Sequence, residues 1–136
     1  MQSMGSRSAT ELLQLPVQLH GIRLGRPVDL LLDLAEWRAL GFVVLCGDES
    51  LRFLVFAAAD LREDAIEMPS AHLLLDDVEF YRDRSRSLRD VLDGELRDLR
   101  VLPDGDVETL VVDGKGGLRE VQPSDVPVES ERVSTA

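Results

Sequence analysis

The residues best equipped for chemistry in this chain are the arginines of Tyr81-Arg-Asp-Arg-Ser-Arg-Ser-Leu-Arg89. Arg82, Arg84, Arg86 and Arg89 gather there although the whole chain has a formal net charge of -11 and a pI near 4.5. Guanidinium forks take phosphate or carboxylate oxygens in pairs, so segment 82–89 could grip an RNA backbone or an acidic protein. Ser85 and Ser87 each follow an arginine by three places, and a phosphate on either would reverse the local charge. The competing account is a solvated connector whose arginines pair with Asp83, Asp90 and Asp93. Trp37, beside a turn, is the other candidate partner contact, because tryptophan is a frequent interface anchor; a half-buried cap over the core explains it as well.

The groups suited to catalysis do not assemble in the sequence. Cys46 is the single cysteine and ends the apolar run Gly41-Phe-Val-Val-Leu-Cys46, which predicts a buried, inert thiol and excludes an intrachain disulfide. His20 and His72 are the only histidines, with no Cys or His partner at zinc spacing, and Asp104-Gly-Asp106 lacks the remainder of a calcium loop. Asp29 and Asp33 on a strand would stand roughly 13 Å apart at about 3.3 Å per residue, too far to share one metal ion. Together with Asp76 and Asp77 they are expected as solvated surface carboxylates. Gly21 and Gly25 lead into Arg26-Pro27, not into the lysine and hydroxyl of a phosphate loop. The sequence therefore predicts no catalytic residue, no cofactor and no metal.

These groups must be carried by short β elements. Leu13, Leu15, Val17 and Leu19 alternate with polar residues and Pro16, which is strand spacing. Ile22 to Asp33 fits either a strand or a helix begun by Pro27, and periodicity alone leaves the two even. The neighbours favour a strand: Leu40–Cys46 and Leu51–Phe56, joined by Gly47-Asp-Glu-Ser50, form a hairpin signature. Ala57–Asp64 is expected as a loop with at most one helical turn, Ala65–Met68 as a strand stopped by Pro69, and Leu73–Tyr81 as a strand followed by a turn of helix. Asp93-Gly94, Asp104-Gly105, Asp113-Gly114 and Gly116-Gly117 then punctuate short β-rich runs. The class is all-β, a barrel or sandwich with only short helical turns. An internal echo runs through it: Asp29-Leu30 answers Asp98-Leu99, Val43-Val44 answers Val111-Val112, and Asp60-Leu61 answers Asp125-Val126. Two related β units, 12–84 and a shorter 85–129, are expected between a flexible tail over 1–11 and a disordered tail over 130–136.

Bulk properties narrow the class further. No run approaches the roughly 18 apolar residues of a membrane span, and the start lacks the apolar stretch of a secretion signal, so membrane insertion is not expected and a cytoplasmic place is. The acidic balance opposes general nucleic-acid binding. Lys115 is the single lysine, against a dominance of arginine, and asparagine is absent, which suggests a GC-rich bacterial genome.

Leu19-His-Gly-Ile-Arg-Leu-Gly25, Val28-Asp-Leu-Leu-Leu-Asp33, Leu40-Gly-Phe-Val-Val44 and Phe56-Ala-Ala-Ala-Asp60 resemble the PRC-barrel family. This is the small β-barrel shared by the photosynthetic reaction-centre H subunit and a bacterial ribosome-maturation factor. The resemblance covers Leu13 to Leu75 well and Leu88 to Val128 more loosely, where Gly94-Glu-Leu-Arg-Asp-Leu99 lacks the second glycine. It implies a closed or nearly closed barrel of about six strands that docks on protein or ribonucleoprotein partners and has no shared catalytic residue. The expectation is a non-enzymatic adaptor or scaffold with an unidentified protein partner, or a homodimer. The alternative is an RNA-processing or ribosome-assembly factor that binds RNA or a ribosomal protein through 82–89.

Overall fold

The computed structural model describes residues 5–92, 95–114 and 116–125. The first four residues of the expected tail, the expected turn at Asp93-Gly94, Lys115, Val126 of the echo and the expected tail from 130 lie outside them. The apolar runs form strands in two sheets. The first contains β2 (Val17–Leu19), β3 (Ile22–Asp33), β4 (Arg38–Cys46), β5 (Leu51–Val55), β6 (Asp60–Leu61), β7 (Ile66–Met68) and β8 (Leu74–Leu75), in the order β6-β7-β2-β3-β4-β5-β8. β9 (Arg86–Ser87) pairs with β3 beside this path. The second sheet runs β1 (Arg7–Ser8), β10 (Leu96–Val101), β11 (Val107–Gly114) and β12 (Gly117–Val121). Helical elements are short: α1 (Ala9–Leu12), α2 (Val78–Arg82), α3 (Leu88–Val91) and three-residue turns such as Phe56–Ala58.

Ile22 to Asp33 is a strand, paired with β4 from Gly25↔Cys46 to Asp33↔Arg38. Its leucines are buried on both faces, Leu30 and Leu32 in the main core and Leu31 with Val43, Phe53 and Val78 in a second cluster. A strand covered on both sides has a continuous apolar run, which is why its period could not separate strand from helix. The all-β class holds, but the expected closure does not: the sheets are not closed into a barrel. The first sheet ends in the two-residue strands β6 and β8, and β7 stops at Pro69, which has no N–H to continue a ladder.

Two further expectations change at the N-terminus. Residues 7–11 fall in the expected tail, yet together with Leu12 they form β1 and α1, with Ala9 and Leu12 fully buried. The strand expected over Leu13–Leu19 is confined to Val17–Leu19, because Ser8 caps α1 through Glu11 N–H and the helical turn carries on to Leu13.

Two of the three echoed pairs recur in the strand pairing, while the third does not, since Asp60 lies in strand β6 and Asp125 in the helical turn Pro123–Asp125. In the first sheet Asp29 pairs with Val43, Leu30 with Phe42 and Leu31 with Gly41; in the second Asp98 pairs with Val111, Leu99 with Leu110 and Arg100 with Thr109. Both strand pairs carry register shifts at the same two places, before Asp29 and Asp98 and after Leu31 and Arg100. The next hairpins match too, Val43↔Phe53 against Val111↔Glu120. The starting segments are exchanged. Ser8 pairs with Arg100 in the second sheet, whereas Ser87, at the start of the second unit, pairs with Leu31 in the first. Each sheet is completed by a segment that leads, along the chain, into the other.

The sheets also meet at the equivalent turns. Ala39 N–H donates to Gly105 O at 2.7 Å, and the reciprocal Val107 N–H donates to Trp37 O at 2.9 Å, with Arg38 and Asp106 ion-paired at 2.7 Å between them. This reciprocity is what a local twofold axis generates. Gly105 has φ +101°, and a Cβ there would lie 2.9 Å from Ala39 O. Trp37 holds the equivalent place with φ +50°, in the left-handed region that disfavours a bulky side chain. Trp37→Gly is therefore expected to be more stable than Trp37→Ala by about 0.5–1 kcal/mol in urea unfolding, reversing the usual order of these two residues. A less stable glycine variant would refute the strained turn.

Candidate protein-docking surface

A chain of rings leads from the core to the surface. Phe53, fully buried on β5, stacks on Tyr81 of α2 with ring centroids 3.9 Å apart and planes 11° apart. Tyr81 meets Phe80 edge-on at 5.1 Å, and the Arg84 guanidinium lies 3.8 Å above the Phe80 ring. Arg84 also donates to Phe80 O at 2.9 Å, so both ends of the pair are held. Val78 anchors α2 in the second cluster, leaving Phe80 44% exposed. The result is an exposed aromatic face and a guanidinium already in place, supported by buried packing.

The four candidate arginines do not share one role. Arg82 pairs with Glu79 at 3.1 Å on the exposed side of α2. Arg86 and Arg82 line a cavity of about 330 Å³ with Ser85, Leu31 and the carboxylates Asp29 and Asp90. A phosphate there would face two acids, so the cavity suits a mixed polar segment better than a nucleic-acid backbone. Arg89 has a structural task. The extra residue of the β-bulge at Val28 frees a backbone carbonyl, and Arg89 Nε donates to it at 3.0 Å. Trp37 lies outside this cavity, in the turn between β3 and β4, half-buried against the main core.

Asp29, expected as a solvated carboxylate, is 7% exposed. The bulge turns it beneath β9, where it accepts from Ser87 Oγ at 2.5 Å and from Leu30 N at 2.8 Å. Asp98 repeats this arrangement with Ser8 Oγ and Leu99 N–H. Ser87 Oγ also accepts from Arg89 N–H, and Ser85 Oγ donates to Tyr81 O at 2.7 Å. A phosphate on Ser87 would be driven against Asp29. Asp76 remains exposed and pairs with Arg52.

Cys46 is half-buried, and burial raises its thiol pKa against the opposing pull of Arg52. Ser50 and Asp48 also act on it, and no histidine does. Among the described residues no group of three or more His, Cys, Asp or Glu is arranged to hold a metal ion, and no helix is long and apolar enough to cross a membrane. Phe80 is the functional candidate that the linear pattern hid; its signal is the helical spacing to Arg84. No protein-family model matches the chain, and no curated protein matches it.

Proposed function

We propose that the chain is a PRC-barrel-type adaptor of the bacterial cytoplasm, with no enzymatic role, that docks a protein partner on the Phe80–Arg84 patch. The observation that carries this is the preorganised pair itself: an exposed ring backed by Tyr81 and Phe53, with a guanidinium stacked on it. Such a pair needs little ordering on contact, and interfaces concentrate their energy in aromatic and arginine residues. The fitting partner presents a carboxylate to Arg84 beside an apolar side chain that covers Phe80.

Recovery of the tagged protein with its native partner tests this. Phe80→Ala and Arg84→Ala are each expected to reduce partner retention about tenfold or more, since one hot-spot side chain is worth about 2 kcal/mol or more. The β spectrum should be unchanged, because both side chains lie outside the main core. Retention that survives both changes would end the proposal. Retention lost to nuclease, or falling steeply with moderate salt, would transfer the function to RNA binding through 82–89.

A further inference from the structure

The leading arm, residues 5–12, runs directly into the first sheet at β2 but completes the second. Arg7 and Ser8 pair with Val101 and Arg100, the Ser8 hydroxyl donates to Asp98, and Thr10 N–H donates to the other Asp98 oxygen at 3.1 Å. Ala9 and Leu12 are fully buried against the core that includes Leu99, Val101 and Leu110. Arg100 reaches back to Ser6 Oγ at 3.0 Å. Only Leu13 to Pro16 join this arm to β2.

We propose that the arm is exchangeable between molecules: the groove at Asp98 accepts the arm of a second copy of this chain, giving an intertwined dimer. Three observations select that occupant. The groove is matched to the arm at its cap, its strand and its buried apolar residues, and every copy of the chain carries that ligand. A related segment fills the equivalent groove, because Ser85-Arg-Ser-Leu-Arg-Asp-Val-Leu92 repeats Ser6-Arg-Ser-Ala-Thr-Glu-Leu-Leu13 and places Ser87 on Asp29 as Ser8 sits on Asp98. Finally, the arm already crosses between sheets within one chain, so exchange keeps the arm's contacts with the second sheet and alters the path of the connector, whose Leu13, Gln14 and Leu15 N–H groups now bond back to the arm. A short connector holds its own arm at a high effective concentration, so connector length sets the balance between monomer and dimer.

Deleting Gln14 and Leu15 shortens the connector, and inserting Gly-Ser-Gly after Gln14 lengthens it. Light scattering on the purified full chain is expected to give a dimer for the first and a monomer for the second, both with a β spectrum. A shortened chain that stays monomeric, or that loses its sheets, overturns the proposal. A second measurement leaves the connector intact: two differently tagged copies, unfolded and refolded together at high concentration, should co-purify, and Leu12→Asp should abolish this. Copies that never co-purify, or that still do so with Leu12→Asp, also overturn it. No foreign protein enters either experiment, so its failure is separate from failure of the adaptor proposal.

Discussion

Asp29→Ala is expected to destabilise the chain by about 3 kcal/mol in urea unfolding, and Asp98→Ala by a similar amount. A β-bulge interrupts the ladder at Val28, and Asp29 replaces the lost partner by accepting Leu30 N–H with one oxygen and Ser87 Oγ with the other. Alanine leaves a buried N–H and a hydroxyl to compete for nothing, each costing about 1–3 kcal/mol. The total stays moderate because Ser87 Oγ still accepts from Arg89 N–H. Asp29→Asn should cost less, about 1 kcal/mol, since its amide oxygen still serves Leu30 and its NH₂ can donate to Ser87. If the two groups act as a pair, Asp29→Ala with Ser87→Ala will fall short of the sum of the single changes. An Asp29→Ala chain within 0.5 kcal/mol of the parent would show that the carboxylate is solvated, as its sequence position suggests. Asp98→Ala is a second test at the equivalent place, where a half-buried site exposes the freed groups more but Thr10 N–H is a further donor left without its partner.

The features legible in the sequence are those fixed by near neighbours. The hairpin of β4 and β5 depends on two apolar runs and the polar turn between them, and β7 ends where Pro69 removes a donor; both signals are local. Burial of Asp29 is not local. Alternation puts it on the water side, but the extra residue at Val28 and the arrival of β9 from far along the chain enclose it. The arm shows the same limit. Its likeness to Ser85–Leu92 is present in the residues, but nothing near either segment says that each crosses to the other sheet. Of the candidate site, the arginine cluster was legible as a charge pattern, whereas the separate roles of Arg84 and Arg89 depend on Phe80 and on the Val28 carbonyl, which only the fold brings to them.

The smallest change with the largest expected effect is Gly41→Ala, which should cost about 3 kcal/mol or more and weaken partner docking as well. A Cβ on Gly41 would fall 2.5 Å from Cζ of Phe53 and closer still to the Leu54 carbonyl oxygen, and neither a buried ring nor a paired backbone group can yield cheaply. The repeat supplies the control. Thr109 holds the equivalent place in β11, where a side chain is accommodated because the residue matching Phe53 is the exposed Glu120. Glycine is therefore demanded by the ring above it and by the closeness of β5, not by the strand pairing as such. Phe53→Leu in the Gly41→Ala background should recover part of the loss by removing the ring contact, while the carbonyl contact keeps the remainder. Full recovery, or a Gly41→Ala chain as stable as the parent, would contradict this packing. Since Phe53 supports Tyr81, and Tyr81 supports Phe80, a displaced Phe53 should also misplace the docking patch. Loss of partner retention below the unfolding transition would then connect a core glycine to the surface contact.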